Sequence, residues 1–331
     1  MARLAITGAS GFVGRATVDA ALNAGHHVLA LTRSHADLPS GVESHRLDLA
    51  SGGAATELEP LLADVDAIIH AAASMVGDDA THTRDTLSPT RSILAAIGNR
   101  RLVLVSSLSV YGYAAIPDGT LLDELTPIEP DLQKRDAYAR AKIRQEQMAV
   151  HAAQADGVDL WLIRPGAIYG PGRLSTARLG ISVKGRLLTP SGNARVPAVD
   201  VASVGRGLVA AATVSVNRPS DVPIPHGAGR VTIVNLVDPD PPRQKDWARA
   251  TGASLVSIPR KPLFRLLEAL DLAGEVMPSF GGRIPTALKV AGFAARFRDL
   301  TYATQRAEDI LSIAAGDGFD ANMARYRKDQ P

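Results

Sequence analysis

The sequence predicts an α/β protein built on a doubly wound parallel sheet, with a smaller, partly helical substrate lobe towards the C-terminus. Three observations carry that prediction. The first 165 residues alternate short apolar runs with segments long enough for crossover helices; a glycine-rich turn directly follows the first run; and Pro and Gly cluster once Arg164 is passed. A chain of 331 residues, 46% hydrophobic and 21% charged, is long enough to bury a full core.

The apolar runs come in order as ArgLeuAlaIleThr (3–7), HisValLeuAlaLeu (27–31), AlaIleIleHis (67–70), LeuValLeuValSer (102–106) and LeuTrpLeuIleArg (160–164). Each is apolar almost throughout rather than alternating, which suits parallel strands covered by helices on both faces. Residues 13–24 and 136–155 read as two of the crossover helices. Pro and Gly then gather at 165–172 and 190–197, a further βα-like unit follows at 196–214, and an extended run at 231–237 leads into ProAspProPro. From about residue 244 the chain reads as helices with loops. The expected division is a cofactor domain of residues 1–165 with 195–240 returning to it, and a substrate lobe of 166–194 with 241–331.

Charge and composition narrow the partners. Lys and Arg total 36 against 34 Asp and Glu, a net charge of +2, and no basic run exceeds two adjacent residues. Nothing there suits nucleic acid or an anionic membrane, so a small-molecule substrate is expected. The absence of cysteine excludes disulfides, thiolate catalysis and Cys-ligated zinc, and the eight histidines show no HExxH spacing, so no metal is expected. The first apolar run is too short for a signal segment, and no stretch approaches the roughly 18 apolar residues of a membrane span. A cytoplasmic protein is expected.

ThrGlyAlaSerGlyPheValGly (7–14) lies after the first strand and opens the first helix. Gly8 permits the tight turn, Gly11 lets a pyrophosphate approach the backbone, and Gly14 allows close packing, while the helix N-terminus faces the phosphates. Thr7, Ser10, Phe12 and Val13 complete this candidate dinucleotide turn of a Rossmann-type domain. The second constellation pairs LeuValLeuValSerSerLeuSerValTyrGly (102–112) with AspAlaTyrAlaArgAlaLysIle (136–143). Tyr138 and Lys142 are four apart and share a helix face, so the ammonium is placed to lower the phenol's pKa and make it a proton donor or acceptor near neutrality. Amphipathic helices produce that spacing too. The hydroxyl cluster at the carboxyl end of a parallel strand supplies the context, with Ser107 placed to hydrogen-bond a substrate carbonyl or hydroxyl.

With these motifs the chain resembles the extended short-chain dehydrogenase/reductases, including the NAD(P)-dependent epimerase/dehydratase and 3β-hydroxysteroid dehydrogenase groups. The resemblance covers most of the chain. Its markers are residues 7–14, Asp48-Leu49 after the third strand, His70-Ala71-Ala72 after the fourth, SerSerLeuSerValTyrGly (106–112), Tyr138 with Lys142, and ArgProGlyAlaIleTyrGlyProGly (164–172). It implies that Ser107, rather than Ser106 or Ser109, is the catalytic serine, and that Lys142 also binds the nicotinamide ribose. It further implies that Asp48 and Leu49 sit near the adenine, that Ala71 and Ala72 line the cofactor, and that Pro165 and Gly166 flank the nicotinamide. Family members are often dimers, which allows a homodimer here.

The chain also departs from the family. ThrLeuSerProThr (86–90) stands where many members carry Asn-x-x-Gly-Thr, and Ala167 stands where nucleotide-sugar epimerases commonly carry Asn. A sugar-diphosphate pocket needs polar groups, so the alanine counts against that substrate. Arg195 lies near a position where such enzymes use an arginine, although a solvated loop residue has the same appearance. Leu263, Leu266, Leu267 and Leu270 form one face of a helix, followed by Met277 and Phe280; the stripe either packs on the sheet domain or roofs an apolar pocket.

The expected activity is NAD(P)-dependent interconversion of a carbonyl and an alcohol on a small, largely apolar substrate, through a Ser107/Tyr138/Lys142 proton relay. The alternatives are a nucleotide-sugar epimerase or dehydratase and a non-catalytic NADP-binding regulator. NADP is expected in preference to NAD. The second strand runs into Thr32-Arg33-Ser34 with no Asp or Glu before Asp37, so a guanidinium and a hydroxyl stand where an NAD-selective fold places a carboxylate. Arg15 is a further candidate for the 2′-phosphate.

Overall fold

Seven strands form one sheet: β1 (Arg3–Thr7), β2 (His27–Thr32), β3 (Glu43–Arg46), β4 (Ala67–His70), β5 (Arg101–Val105), β6 (Asp159–Pro165) and β7 (Arg230–Leu236). They are seen in a computed structural model that describes residues 1–183, 186–190, 192–215, 220–222, 229–277, 289–313 and 318–328. The strands lie in the order β3-β2-β1-β4-β5-β6-β7, and every neighbouring pair is parallel. Strand order reverses between β1 and β4, which opens a crevice beyond their carboxyl ends. The five apolar runs all lie in this sheet. β3, GluSerHisArg at the edge, is mostly exposed and carries no such run.

Successive side chains bury on opposite faces. Leu4 and Ile6 pack with Val18, Val204 and Leu208 on one face, and Ala5 packs with Leu58, Ile93 and Ala149 on the other. Helices Phe12–Asn23 and Val201–Thr213 cover the first face; Ala54–Leu61, Ser88–Ala96 and Ala137–Asp156 cover the second. Helix Ala137–Asp156 starts where the Asp136 carboxylate accepts the Ala139 N–H at 2.9 Å, and it ends at Gly157, whose φ is 75°. That start places Tyr138 in the first turn and Lys142 one turn on.

Outside the main sheet, strand Arg186–Pro190 pairs with Ser254–Ile258 in parallel and with Ile181–Val183 antiparallel. The expectation of helices and loops from about 244 thus misses two strands, Ser254–Ile258 and Thr301–Tyr302, whose partners lie far away in sequence. Ala307 and Leu311, on helix Gln305–Leu311, belong to the core cluster of the sheet, so this part of 241–331 packs on the sheet domain. The buried part of the apolar stripe packs against a neighbouring helix. Leu267 is buried against Phe293 and Phe297 of helix Val290–Phe297, with Leu263 and Leu270 packed alongside, whereas Leu266 and Met277 are exposed. Phe280 lies outside the described residues. Among the described residues, no helix is long and apolar enough to cross a membrane.

Candidate active site

The crevice between β1 and β4 holds a cavity of about 390 Å³. Gly8, Ser10, Gly11, Arg33, Ser34, Asp48, Leu49, Ala71 and Ala72, all expected at a cofactor, line it. Gly8 has φ 66°, and a Cβ there would lie 2.9 Å from the backbone of Ala72, so only glycine lets the turn after β1 approach the turn after β4 this closely. Gly14 packs onto the turn itself, where a Cβ would come within 2.0 Å of the Gly8 carbonyl oxygen. Helix Phe12–Asn23 begins at Gly11 with no side chain capping its first N–H groups. An uncapped helix start beside a cavity floored by glycine fits a pyrophosphate, so these residues suit a dinucleotide.

Thr7, Phe12, Val13 and Gly14 belong to the same turn but do not line that cavity. Thr7 is buried, and the Phe12 ring lies beneath the Arg173 guanidinium at 5.1 Å. Arg15 donates to the Ser10 carbonyl at 3.1 Å. Pro165 closes β6, and the Gly166 N–H donates to the Leu236 carbonyl at 2.9 Å. Arg195 lies apart from the cleft cavity, 3.7 Å from Asp299.

Ser106 and Ser107 follow β5 and point apart. The Ser106 hydroxyl donates to Glu146 at 2.5 Å, whereas Ser107 faces the Tyr138 phenol and accepts the Ser109 N–H at 3.1 Å. Geometry therefore separates the two adjacent serines. The Tyr138 pKa is not lowered as expected. Burial raises it above the usual phenol value, with the Asp136 carboxylate adding to the rise; the Ser107 hydrogen bond and the Arg173 charge oppose it. The Lys142 ammonium instead donates to the Val105 carbonyl at 2.8 Å and to Gln145 Oε1 at 2.9 Å. Burial lowers Lys142 to about 8, against the opposing pull of Glu146.

A buried polar chain runs from Lys142 back to the glycine-rich turn. Gln145 Nε2 donates to Thr90 Oγ1 at 2.7 Å, and His70 Nε2 lies 2.9 Å from the same oxygen. The single Thr90 hydroxyl proton goes to the Thr86 carbonyl at 2.8 Å, so His70 must donate from Nε2. Its Nδ1 then accepts from the Thr7 hydroxyl at 2.7 Å, and Thr7 Oγ1 accepts the Ala72 N–H at 3.2 Å. Burial, aided by the Lys142 charge, pushes His70 down to about 3, so the ring is neutral. Beneath β5 and β6 lies a second buried group. Arg164 donates to both Glu146 oxygens, at 2.8 and 2.6 Å, and to the Tyr111 hydroxyl at 2.9 Å, which in turn donates to Asn235 at 2.7 Å.

Sequence reasoning did not single out Thr90, Gln145, Glu146 or Asp85, and it took His70 only as a family marker. Thr90 does lie within the departure noted at 86–90, the one local signal for any of them. Asp85, in the π-helical turn Thr83–Leu87, lines the 390 Å³ cavity. Its Oδ1 accepts from Arg33 Nη1 at 2.8 Å.

Comparison with known proteins agrees with this architecture. The model of the NAD dependent epimerase/dehydratase family matches residues 4–222. A 2-alkyl-3-oxoalkanoate reductase of Stenotrophomonas maltophilia is 34% identical over 180 residues, covering 51% of this chain and 52% of that protein. A dTDP-6-deoxy-L-talose 4-dehydrogenase (NAD(P)(+)) of Kitasatospora kifunensis is 29% identical over 187 residues, covering 54% of this chain and 57% of that one. The chain thus spans about half the length of these curated relatives. The structure of MoeE5 in complex with UDP-glucose and NAD superposes with a TM-score of 0.67 at 19% identity, over 99% of both chains, and speaks for the fold alone.

Proposed function

The chain belongs to the NAD dependent epimerase/dehydratase family of extended short-chain dehydrogenase/reductases, and on that premise we propose that it is an NADP-dependent oxidoreductase interconverting a carbonyl and an alcohol. The observation that carries the proposal is Ser107 facing the Tyr138 phenol at the carboxyl end of the sheet, with Lys142 one helical turn away. We assign the cofactor to residues 1–165 with 195–240, and the substrate to 166–194 with those parts of 241–331 that lie off the sheet.

A bound nicotinamide cofactor supplies or accepts the hydride. Ser107 orients the substrate oxygen through its hydroxyl. Tyr138 donates the phenolic proton to that oxygen in reduction and recovers it in oxidation, and its raised pKa keeps the proton in place until the oxygen gains charge. Lys142, held by Val105 and Gln145, would place its positive charge beside the nicotinamide ribose of a bound cofactor. Gly8, Ser10 and Gly11, which line the cavity, would hold the pyrophosphate, and Thr7, Phe12, Val13 and Gly14 would shape the turn that presents them. Asp48, Leu49, Ala71 and Ala72 would line the adenosine half, and Pro165 and Gly166 the nicotinamide. Arg33 and Ser34 would take the 2′-phosphate, because β2 ends without a carboxylate.

A small, largely apolar substrate is favoured by Ala167 in the position where a sugar-binding polar group would be expected, and by the likeness to a 2-alkyl-3-oxoalkanoate reductase. The test follows NADPH absorbance with a panel of ketones, 2-alkyl-3-oxo acids among them, for the unmodified protein and Tyr138→Phe. A loss of about 10²–10⁴ in kcat with cofactor affinity kept is expected, the usual contribution of a positioned acid or base. Full activity of Tyr138→Phe overturns the assignment. Conversion of UDP-glucose without net cofactor turnover would instead indicate an epimerase, and tight NADPH binding without any turnover a regulator.

A further inference from the structure

Arg33 is not a free cation. Its Nη1 lies 2.8 Å from Asp85 Oδ1, and the same carboxylate accepts from Arg84 Nε at 3.0 Å and Arg84 Nη2 at 2.7 Å. The Arg33 and Arg84 side chains are 65% and 69% exposed, whereas the Asp85 side chain is only 14% exposed. The acid is therefore the fixed member, and the arginines are arms that reach to it from solvent. Asp85 comes from the π-helical turn Thr83–Leu87, where a wider turn interrupts the helical run between Asp79–His82 and Ser88–Ala96. It lines the cleft cavity together with Gly8, Arg33, Ser34 and Asp48.

We propose that Asp85 sets the cofactor selectivity of the adenosine end. Its carboxylate engages the arginine that a 2′-phosphate needs, and it offers ribose hydroxyls the acceptor that the end of β2 lacks. The proposal rests on the assignment of Arg33 to the 2′-phosphate. With Asp85 ionised the group carries a net charge of +1 from two arginines and one acid. The nearby cations, Arg84 foremost and then Arg33, hold its carboxyl below the usual range, so it stays ionised at neutral pH. A phosphate entering beside Arg33 gains the attraction of the two guanidiniums and meets the repulsion of the Asp85 carboxylate, Asp48 on the same cavity being common to every variant, while an unphosphorylated ribose meets Asp85 as an acceptor. Asp85 thus moderates the preference for NADP that Arg33 creates.

The test titrates nicotinamide fluorescence of NADPH and of NADH with the unmodified protein, Asp85→Asn and Asp85→Glu. Asparagine keeps the shape and removes the charge. Two charges on a phosphate a few ångströms from one carboxylate in a solvated cleft correspond to about tenfold in affinity. Asp85→Asn is therefore expected to raise the ratio of NADPH to NADH affinity about tenfold, and Asp85→Glu to keep the unmodified ratio. Because the readout is a ratio, loss of folded protein cancels. An unchanged ratio in Asp85→Asn, or an equal shift for both cofactors, overturns the inference even if the unmodified protein prefers NADPH. Equal affinities in the unmodified protein, with NADPH preferred by Asp85→Asn, would sink the assignment of NADP preference while supporting the role of Asp85.

Discussion

Replacing His70 by Gln removes a titrating group from the buried chain that joins the glycine-rich turn to Lys142, while keeping a donor towards Thr90. His70 is 1% exposed and its pKa is about 3 in the folded protein, against 6.5 for the unperturbed side chain. The unfolded chain therefore binds a proton at His70 between these values and the folded protein does not. Stability from this residue is complete above about pH 6.5 and is lost as the pH falls towards 3. With 1.36 kcal/mol for each unit of differential pKa, acidification from pH 7 to 5 removes about 2 kcal/mol, and to pH 4 about 3 kcal/mol. At pH 7 the substitution itself costs about 1–3 kcal/mol, because the Thr7 hydroxyl loses its acceptor in a buried site. Urea denaturation of both proteins at a series of pH values measures the difference. The deficit of His70→Gln at pH 7 should shrink by about 2 kcal/mol at pH 5, with the titrations of all other groups cancelling. Two stability curves running parallel from pH 7 to 4 would show that His70 is not held neutral by the fold.

Glu146→Gln leaves Arg164 buried without its counter-charge, and a loss of about 3–5 kcal/mol is expected in denaturant unfolding. Arg33→Ala should weaken NADPH at least about tenfold and leave NADH nearly unchanged, as read by nicotinamide fluorescence, since charge-assisted hydrogen bonds contribute roughly 1.5–3 kcal/mol. Gly8→Ala forces a side chain into a backbone conformation with φ 66° and against Ala72, so the same titration should show at least about tenfold weaker binding of both cofactors. Carbon NMR of labelled lysines should find the Lys142 ε-carbon titrating near pH 8, below the unperturbed value of 10.5; titration at that higher value would contradict its burial.

The amino-acid sequence alone determined the class of fold and marked the candidate site, because both are written in short-range patterns. Apolar runs of four or five residues mark parallel strands buried on two faces, the spacing of Gly8, Gly11 and Gly14 marks a turn that opens a helix, and Tyr138 and Lys142 stand one helical turn apart. What the tertiary structure decided is what each of these residues touches. Thr7, His70, Thr90 and Gln145 are separated by 63, 20 and 55 residues in turn, so no local pattern joins them; only the order of the strands brings β1, β4 and two helices to one buried point. Arg33 and Asp85, 52 residues apart, meet for the same reason. The sequence led to a lowered Tyr138 pKa because helical spacing brings an ammonium near, yet burial outweighs it once β5 and Gln145 draw Lys142 towards themselves. The polar edge strand Glu43–Arg46 and the strand Ser254–Ile258 escape a search for apolar runs because they are held by backbone pairing with distant partners. Residue types and spacing state which groups are available; burial and long-range hydrogen bonding fix their protonation and direction, and those depend on the folded chain as a whole.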